Sequence, residues 1–166
     1  RSRKILKRFK VTPVSPAMVL MVQVVIYTIY SVASLVLLYI VSTLFFGFHL
    51  LGSLPAFLGG YILVMLSIFS IGMMVGGISP NSQTASVIAS LLYFPMLIFS
   101  GATLPYEVMP SALQKIADIL PLTQGIKILK AASLGLPIEN IFVPLIVMAV
   151  LAVICISVSV RFFRWE

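Results

Sequence analysis

Few side chains in this sequence could do chemistry, and their types suit contact better than bond-making. Tyr27, Tyr30 and Tyr93 each join an apolar body to a hydroxyl, a pairing fitted to touching a neutral, amphipathic solute. The plainer reading makes them packing or interfacial residues. Arg1, Arg3, Lys4, Lys7, Arg8 and Lys10 crowd the opening ten residues, with Ile5, Leu6 and Phe9 as a narrow apolar stripe between them. That pattern predicts a short amphipathic helix lying on a membrane face, able to attract anionic lipid or dock a partner. The Thr12-Pro13-Val14-Ser15-Pro16 turn ties it stiffly to the first long apolar run. His49 and Cys155 are each single of their kind, so neither a ligand cluster nor an internal disulfide is expected. There is no Gly-x-Ser-x-Gly elbow, no His-Glu-x-x-His and no Gly-x-x-x-x-Gly-Lys-Ser/Thr loop. No catalytic residue, no metal site and no nucleotide site of the usual kind is therefore assigned.

The elements that position these residues are set by charge. From Val11 to Tyr106 there is no Lys, Arg, Asp or Glu. A soluble surface needs charge to stay solvated, whereas hydrocarbon penalises it. The whole chain is 61% hydrophobic and 9% charged, with mean hydropathy +1.18, where ordinary globular chains carry about a quarter charged residues. The formal charge of +7 sits in clusters flanking apolar runs, so it reads as membrane topology and not as nucleic-acid binding.

A helix needs roughly 20 apolar residues to cross the hydrocarbon core. Four runs qualify: 17–46, with Ser15 and Pro16 suited to its start; 54–78; 84–103, broken by Pro95; and 141–163, with Pro144 in its first turn. The fold class is thus all-α integral membrane protein with four transmembrane helices. Apart from Lys115, Lys127 and Lys130, the Lys and Arg residues lie at the two ends, which assigns both termini to the cytoplasm. Residues 104–140 then face outward. Helical spacing predicts two short amphipathic helices there, about 110–120 and 123–134, neither long enough to cross, forming a re-entrant or interfacial element. The sequence begins with Arg, so a piece of a longer protein, or a processed one, is expected.

Gly72-Met73-Met74-Val75-Gly76 has the small-xxx-small spacing that lets membrane helices approach, and Gly72 and Gly76 are assigned to helix packing. Pro95 reads as a kink, Asn81–Thr84 as a cap on the third span, and His49 as a solvated loop residue. The spans hold no ionisable residue that could relay protons or bind a coupling ion, and no polar ring fit for a channel. Active transport would need energy from another domain. A non-transporting membrane scaffold or assembly subunit is the alternative.

The layout resembles the membrane subunits of type-2 ABC exporters. The likeness runs from Leu6-Lys7-Arg8-Phe9-Lys10-Val11-Thr12-Pro13-Val14-Ser15-Pro16 through Phe99-Ser100-Gly101-Ala102-Thr103-Leu104-Pro105, Met109-Pro110 and Ile119-Leu120-Pro121-Leu122-Thr123. The resemblance implies a six-span permease of which this chain supplies the last four spans. It implies that Lys4, Lys7, Arg8, Phe9, Pro13 and Pro16 belong to a segment coupling to an ATP-binding cassette ATPase subunit. That partner would carry ATP and Mg, this chain would bind no cofactor, and a second permease subunit would complete the pathway. The family's substrates span drugs, antibiotics, lipids, polysaccharides and sodium, and the outer segment favours a drug, antibiotic or lipid-like substrate. The implied location is the cytoplasmic membrane, in contact with lipid.

Overall fold

The computed structural model describes residues 16–137 and 141–162, and among them every regular element is a helix. In chain order these are α1 (Pro16–Phe46), α2 (Leu54–Ile78), α3 (Ser82–Phe99), a 3-10 turn (Tyr106–Val108), α4 (Ser111–Ile119), α5 (Pro121–Leu134) and α6 (Phe142–Phe162). Stretches of α1, α2, α3 and α6 are each long and apolar enough to cross a membrane. The coupling-segment residues Lys4, Lys7, Arg8, Phe9 and Pro13 lie outside the described residues; Pro16 opens α1.

Helix boundaries reflect local chemistry. Asn81 caps α3 by accepting the amide of Thr84 at 2.7 Å, as the polar run 81–84 predicted. The helix starts at Ser82 and ends at Phe99, four residues short of the Thr103 expected. Gly101 takes φ +86°, and the Thr103 hydroxyl folds back to the carbonyls of Leu97 and Ile98, both at 3.0 Å, satisfying carbonyls the helix end would leave open. Pro121 both stops α4 and serves as the first residue of α5, which therefore begins before the predicted Thr123. Gly135, at φ +68°, closes α5, and the amide of Leu136 reaches the carbonyl of Ala131 at 2.9 Å.

α2 is the hub, touching α1, α3, α5 and α6. It runs parallel to α6: Ser67 donates to the carbonyl of Met148 at 3.0 Å, and ten residues on, Gly77 faces Ser159. Val64 of α2, Ile128 of α5 and Met148 of α6 form the buried core where the three helices meet. Small residues make that approach possible. A Cβ at Gly60 would lie 2.9 Å from Cγ2 of Ile128, and one at Gly125 would lie 2.7 Å from Cγ1 of Val64. α2 and α5 thus each set a glycine beneath the other's branched side chain. By contrast, a Cβ at Gly72 or Gly76 would meet nothing within 4 Å. Within the described residues, close approach on α2 falls at Gly60 and Gly77, not on the pair singled out by spacing.

The connections alternate between the two ends of the bundle. The α1–α2 loop packs on the end of α5, with the amides of Leu51 and Gly52 both donating to the carbonyl of Ser133 at 3.0 Å. Thr123 at the start of α5 donates to the carbonyl of Phe99 at the end of α3. The α2–α3 turn and the end of α6 lie at the other end. The membrane-crossing stretches of α1 and α3 have no buried residues, so their apolar surfaces await lipid or protein from outside this chain.

Candidate functional site

The three tyrosines do not converge on one cavity. Tyr27 leans on Phe69 of α2 with ring centroids 5.8 Å apart and planes tilted by 59°, a packing contact that joins α1 to the hub. Tyr30 is 68% exposed, on the outer surface of α1. Tyr93 sits against Phe94 on α3, centroids 6.0 Å apart, and is 54% exposed. All three remain open to whatever lies outside the chain. Tyr61 of α2 is not distinguished in the sequence, yet its hydroxyl binds α1 directly, donating to the carbonyl of Ser31 at 2.9 Å and lying 2.5 Å from the Ser31 hydroxyl. No periodicity separates it from its neighbours; only the pairing of α1 with α2 reveals its role. His49 is exposed in the α1–α2 loop, as expected.

Polar structure gathers instead where α3, α4 and α5 meet. Asp118, near the end of α4, accepts from the Lys127 ammonium at 2.6 Å and from the Tyr106 hydroxyl at 2.9 and 3.0 Å. Lys127 also stands 4.5 Å above the Tyr106 ring, so cation, carboxylate and phenol form one cluster. The amide nitrogen of Gln114 donates to the carbonyl of Tyr106 at 3.1 Å, and that of Gln124 to the carbonyl of Asp118 at 2.5 Å. Two helices separated only by Leu120 are thereby held at a fixed angle, with the 3-10 turn pinned between them.

The electrostatics are self-consistent. Burial alone would raise the Asp118 carboxyl, but hydrogen bonds from Lys127 and Tyr106 and the lysine's charge hold it below its ordinary range. Burial and the bond to Asp118 push the Tyr106 phenol up, so it stays a donor. A pocket of about 100 Å³ adjoins the cluster, lined by Ser100, Gly101, Tyr106, Thr123, Ile126, Lys127 and Lys130. The cluster has neither a nucleophile–base pair nor, among the described residues, a group of His, Cys, Asp and Glu fit for a metal. Its chemistry is structural: it braces the short helices that cover one end of the bundle.

A second, larger cavity of about 540 Å³ lies between the start of α2, the second half of α5 and the start of α6. Its walls include Ala56, Gly60, Ile128, Ala131, Ala132 and Leu145, and among the described residues no ionisable one lines it.

The family model for the ABC-2 type transporter matches residues 1–134. Among curated proteins, the chain is 33% identical over 99 residues to Nodulation protein J of Rhizobium leguminosarum bv. viciae, covering 60% of this chain and 38% of that protein. It is 31% identical over 99 residues to Nodulation protein J of Neorhizobium galegae, with the same coverage. It is 30% identical over 80 residues to the inner membrane transport permease YhhJ of Escherichia coli strain K12, covering 48% of this chain and 21% of that protein. The matched region thus spans less than two fifths of the length of these relatives. No solved structure gives a significant match.

Proposed function

Because this chain belongs to the ABC-2 type transporter family, we propose that it forms part of the permease subunit of an ATP-driven exporter. The observation that carries the reading is the family match over 1–134 on a chain whose four long helices are free of acidic residues and of lysine. Such helices hold nothing that could couple transport to an ion gradient, and the sequence holds no nucleotide loop. Energy would then enter through a separate ATPase subunit docked on the segment containing Lys4, Lys7, Arg8, Phe9, Pro13 and Pro16. The ATPase would bind ATP and Mg.

The bare apolar faces of α1 and α3 support a second permease subunit, alike or different, with the pathway between the two subunits. Gly72 and Gly76, with open space around them, are suited to close approach by that second subunit. A path flanked by neutral, aromatic helix surfaces favours a drug-like, antibiotic or lipid-like substrate, touched by Tyr27, Tyr30 and Tyr93. The protein would lie in the cytoplasmic membrane with both ends of this chain inside and residues 104–140 on the outer side, α5 re-entering between α2 and α6.

The test is efflux by the full-length permease, expressed with its ATPase in cells stripped of other exporters, over a panel of amphipathic dyes and antibiotics. Tyr30→Ala and Tyr93→Ala should change the order of substrates exported at unchanged protein levels. An identical order in both variants would remove the tyrosines from the path, and no efflux of any compound would remove the drug-like class.

A further inference from the structure

The 540 Å³ cavity has the size of a small-molecule site, ordinarily about 300–1,000 Å³. It is not a gap left by poor packing, because small residues build it. Gly52 and Ser53 of the α1–α2 loop join Ala56 and Gly60 of α2 on one side, and Ala131, Ala132 and Gly135 form the α5 side, with Ile128, Ile141 and Leu145 among the apolar remainder. Two of these glycines are fixed by their surroundings. A Cβ at Gly52 would run into the carbonyl of Ala132, and one at Gly60 would press on Ile128. The space therefore persists as long as α5 stays seated on α2.

The lining selects its occupant. Among the described residues it offers no ionisable group, and the amides of Leu51 and Gly52 beside it are already spent on the carbonyl of Ser133. Its described walls are aliphatic or small, with the Ser53 hydroxyl as their one polar side-chain group. Apolar cavities of this kind hold water poorly and take up hydrocarbon. The cavity also lies at the first turns of α2 and α6, two helices long and apolar enough to cross a membrane.

We infer that this cavity is a binding site for one acyl chain of a membrane phospholipid, wedged between α2, α5 and α6 with its headgroup outside the pocket. The site requires only that the helices span a bilayer, and stands whether or not the chain transports. Its consequence is mechanical. The acyl chain fills the space beside the Gly60–Ile128 contact, so bilayer lipid helps fix the seat of α5. Recognition is of the hydrocarbon, and the site is indifferent to headgroup.

Photo-crosslinking tests this. The full-length permease is reconstituted in nanodiscs of phosphatidylcholine carrying a diazirine midway along one acyl chain, irradiated, digested and mapped by mass spectrometry. Adducts are expected on Leu51–Gly60 and Ala131–Leu136 as well as on exposed α1. Ala56→Phe and Leu136→Trp, both at exposed positions of the rim, should each abolish the first set and leave the α1 adducts intact. Ala56→Ser, which keeps the volume, should retain both. Phosphatidylglycerol with the same labelled chain should give the same map. If either filled variant fails to insert, as judged by its α1 adducts, the other decides. Adducts confined to α1 and α3, cavity adducts unchanged in the filled variants, or a map that changes with headgroup would overturn the assignment.

Discussion

Gly125 of α5 lies directly beneath Val64 of α2, so close that a Cβ on the glycine would stand 2.7 Å from Cγ1 of the valine. The reciprocal contact, Gly60 under Ile128, repeats the arrangement one turn away. Gly125→Ala should therefore destabilise the protein by roughly 1–3 kcal/mol, the usual cost of overpacking a tight core. Val64→Ala introduced alongside it should recover part of the loss by removing the opposing methyls. In the single permease subunit, with no second subunit packed on them, Gly72→Ala and Gly76→Ala face open space and should be neutral or gain up to about 1 kcal/mol from helix propensity. Thermal unfolding of the four variants in detergent reads the difference; equal losses at Gly72 and Gly125 would contradict it.

The Asp118–Lys127–Tyr106 cluster should matter for stability modestly and with a defined pH dependence. Lys127 and Asp118 are 35% and 42% exposed, so the pair contributes at most about 1 kcal/mol. The folded carboxyl titrates below its unfolded value, near 3.9. Its contribution is thus full above that value and is lost as pH falls through the lower folded value. The stability gap between the parent protein and Asp118→Asn should be constant between about pH 5 and 8 and close in more acid solution. A gap that opened on acidification would show that the pair is not charged as described.

What could be read from the sequence was whatever hydrocarbon imposes on every residue alike. The charge-free run from Val11 to Tyr106 located three spans because one forbidden charge anywhere in it would have shown. Asn81 marked the start of α3 through capping chemistry confined to a few neighbouring residues. The misplaced end of α3 came from Gly101 and the folded-back Thr103, which a hydropathy run cannot sense. The Gly72–Gly76 spacing identified small residues, but not which face of α2 meets α5 and α6. Asp118 and Lys127 fall in the two separate helices expected over 110–120 and 123–134, and nothing in the sequence pairs them. Their pairing depends on the angle set at Leu120 and Pro121, and the third member, Tyr106, comes from the 3-10 turn before α4. The cavity was invisible because it is made by absent side chains on three elements.

The proposed orientation rests on the cations at the chain ends and the three lysines of 104–140. On a Cys155→Ser background in intact cells, a single cysteine at Ser111 should react with an impermeant thiol reagent. Cysteines at Ser2 or Glu166 should react only after the membrane is opened. Strong labelling at Ser2 with protection at Ser111 would invert the topology.

In the proposed exporter, motion of these helices is driven by ATP hydrolysis on a partner held through the basic segment before α1. The most direct measurement is ATPase activity eluting with tagged full-length permease purified from its native membrane. Lys7→Glu with Arg8→Glu serves as the uncoupled variant, and a third form moves the two cations within the segment without changing their number. Vanadate-sensitive hydrolysis should co-elute with the parent protein and be lost from both variants, although both still insert. Permease that purifies folded and transport-competent with no ATPase, or hydrolysis retained undiminished in both variants, would contradict it.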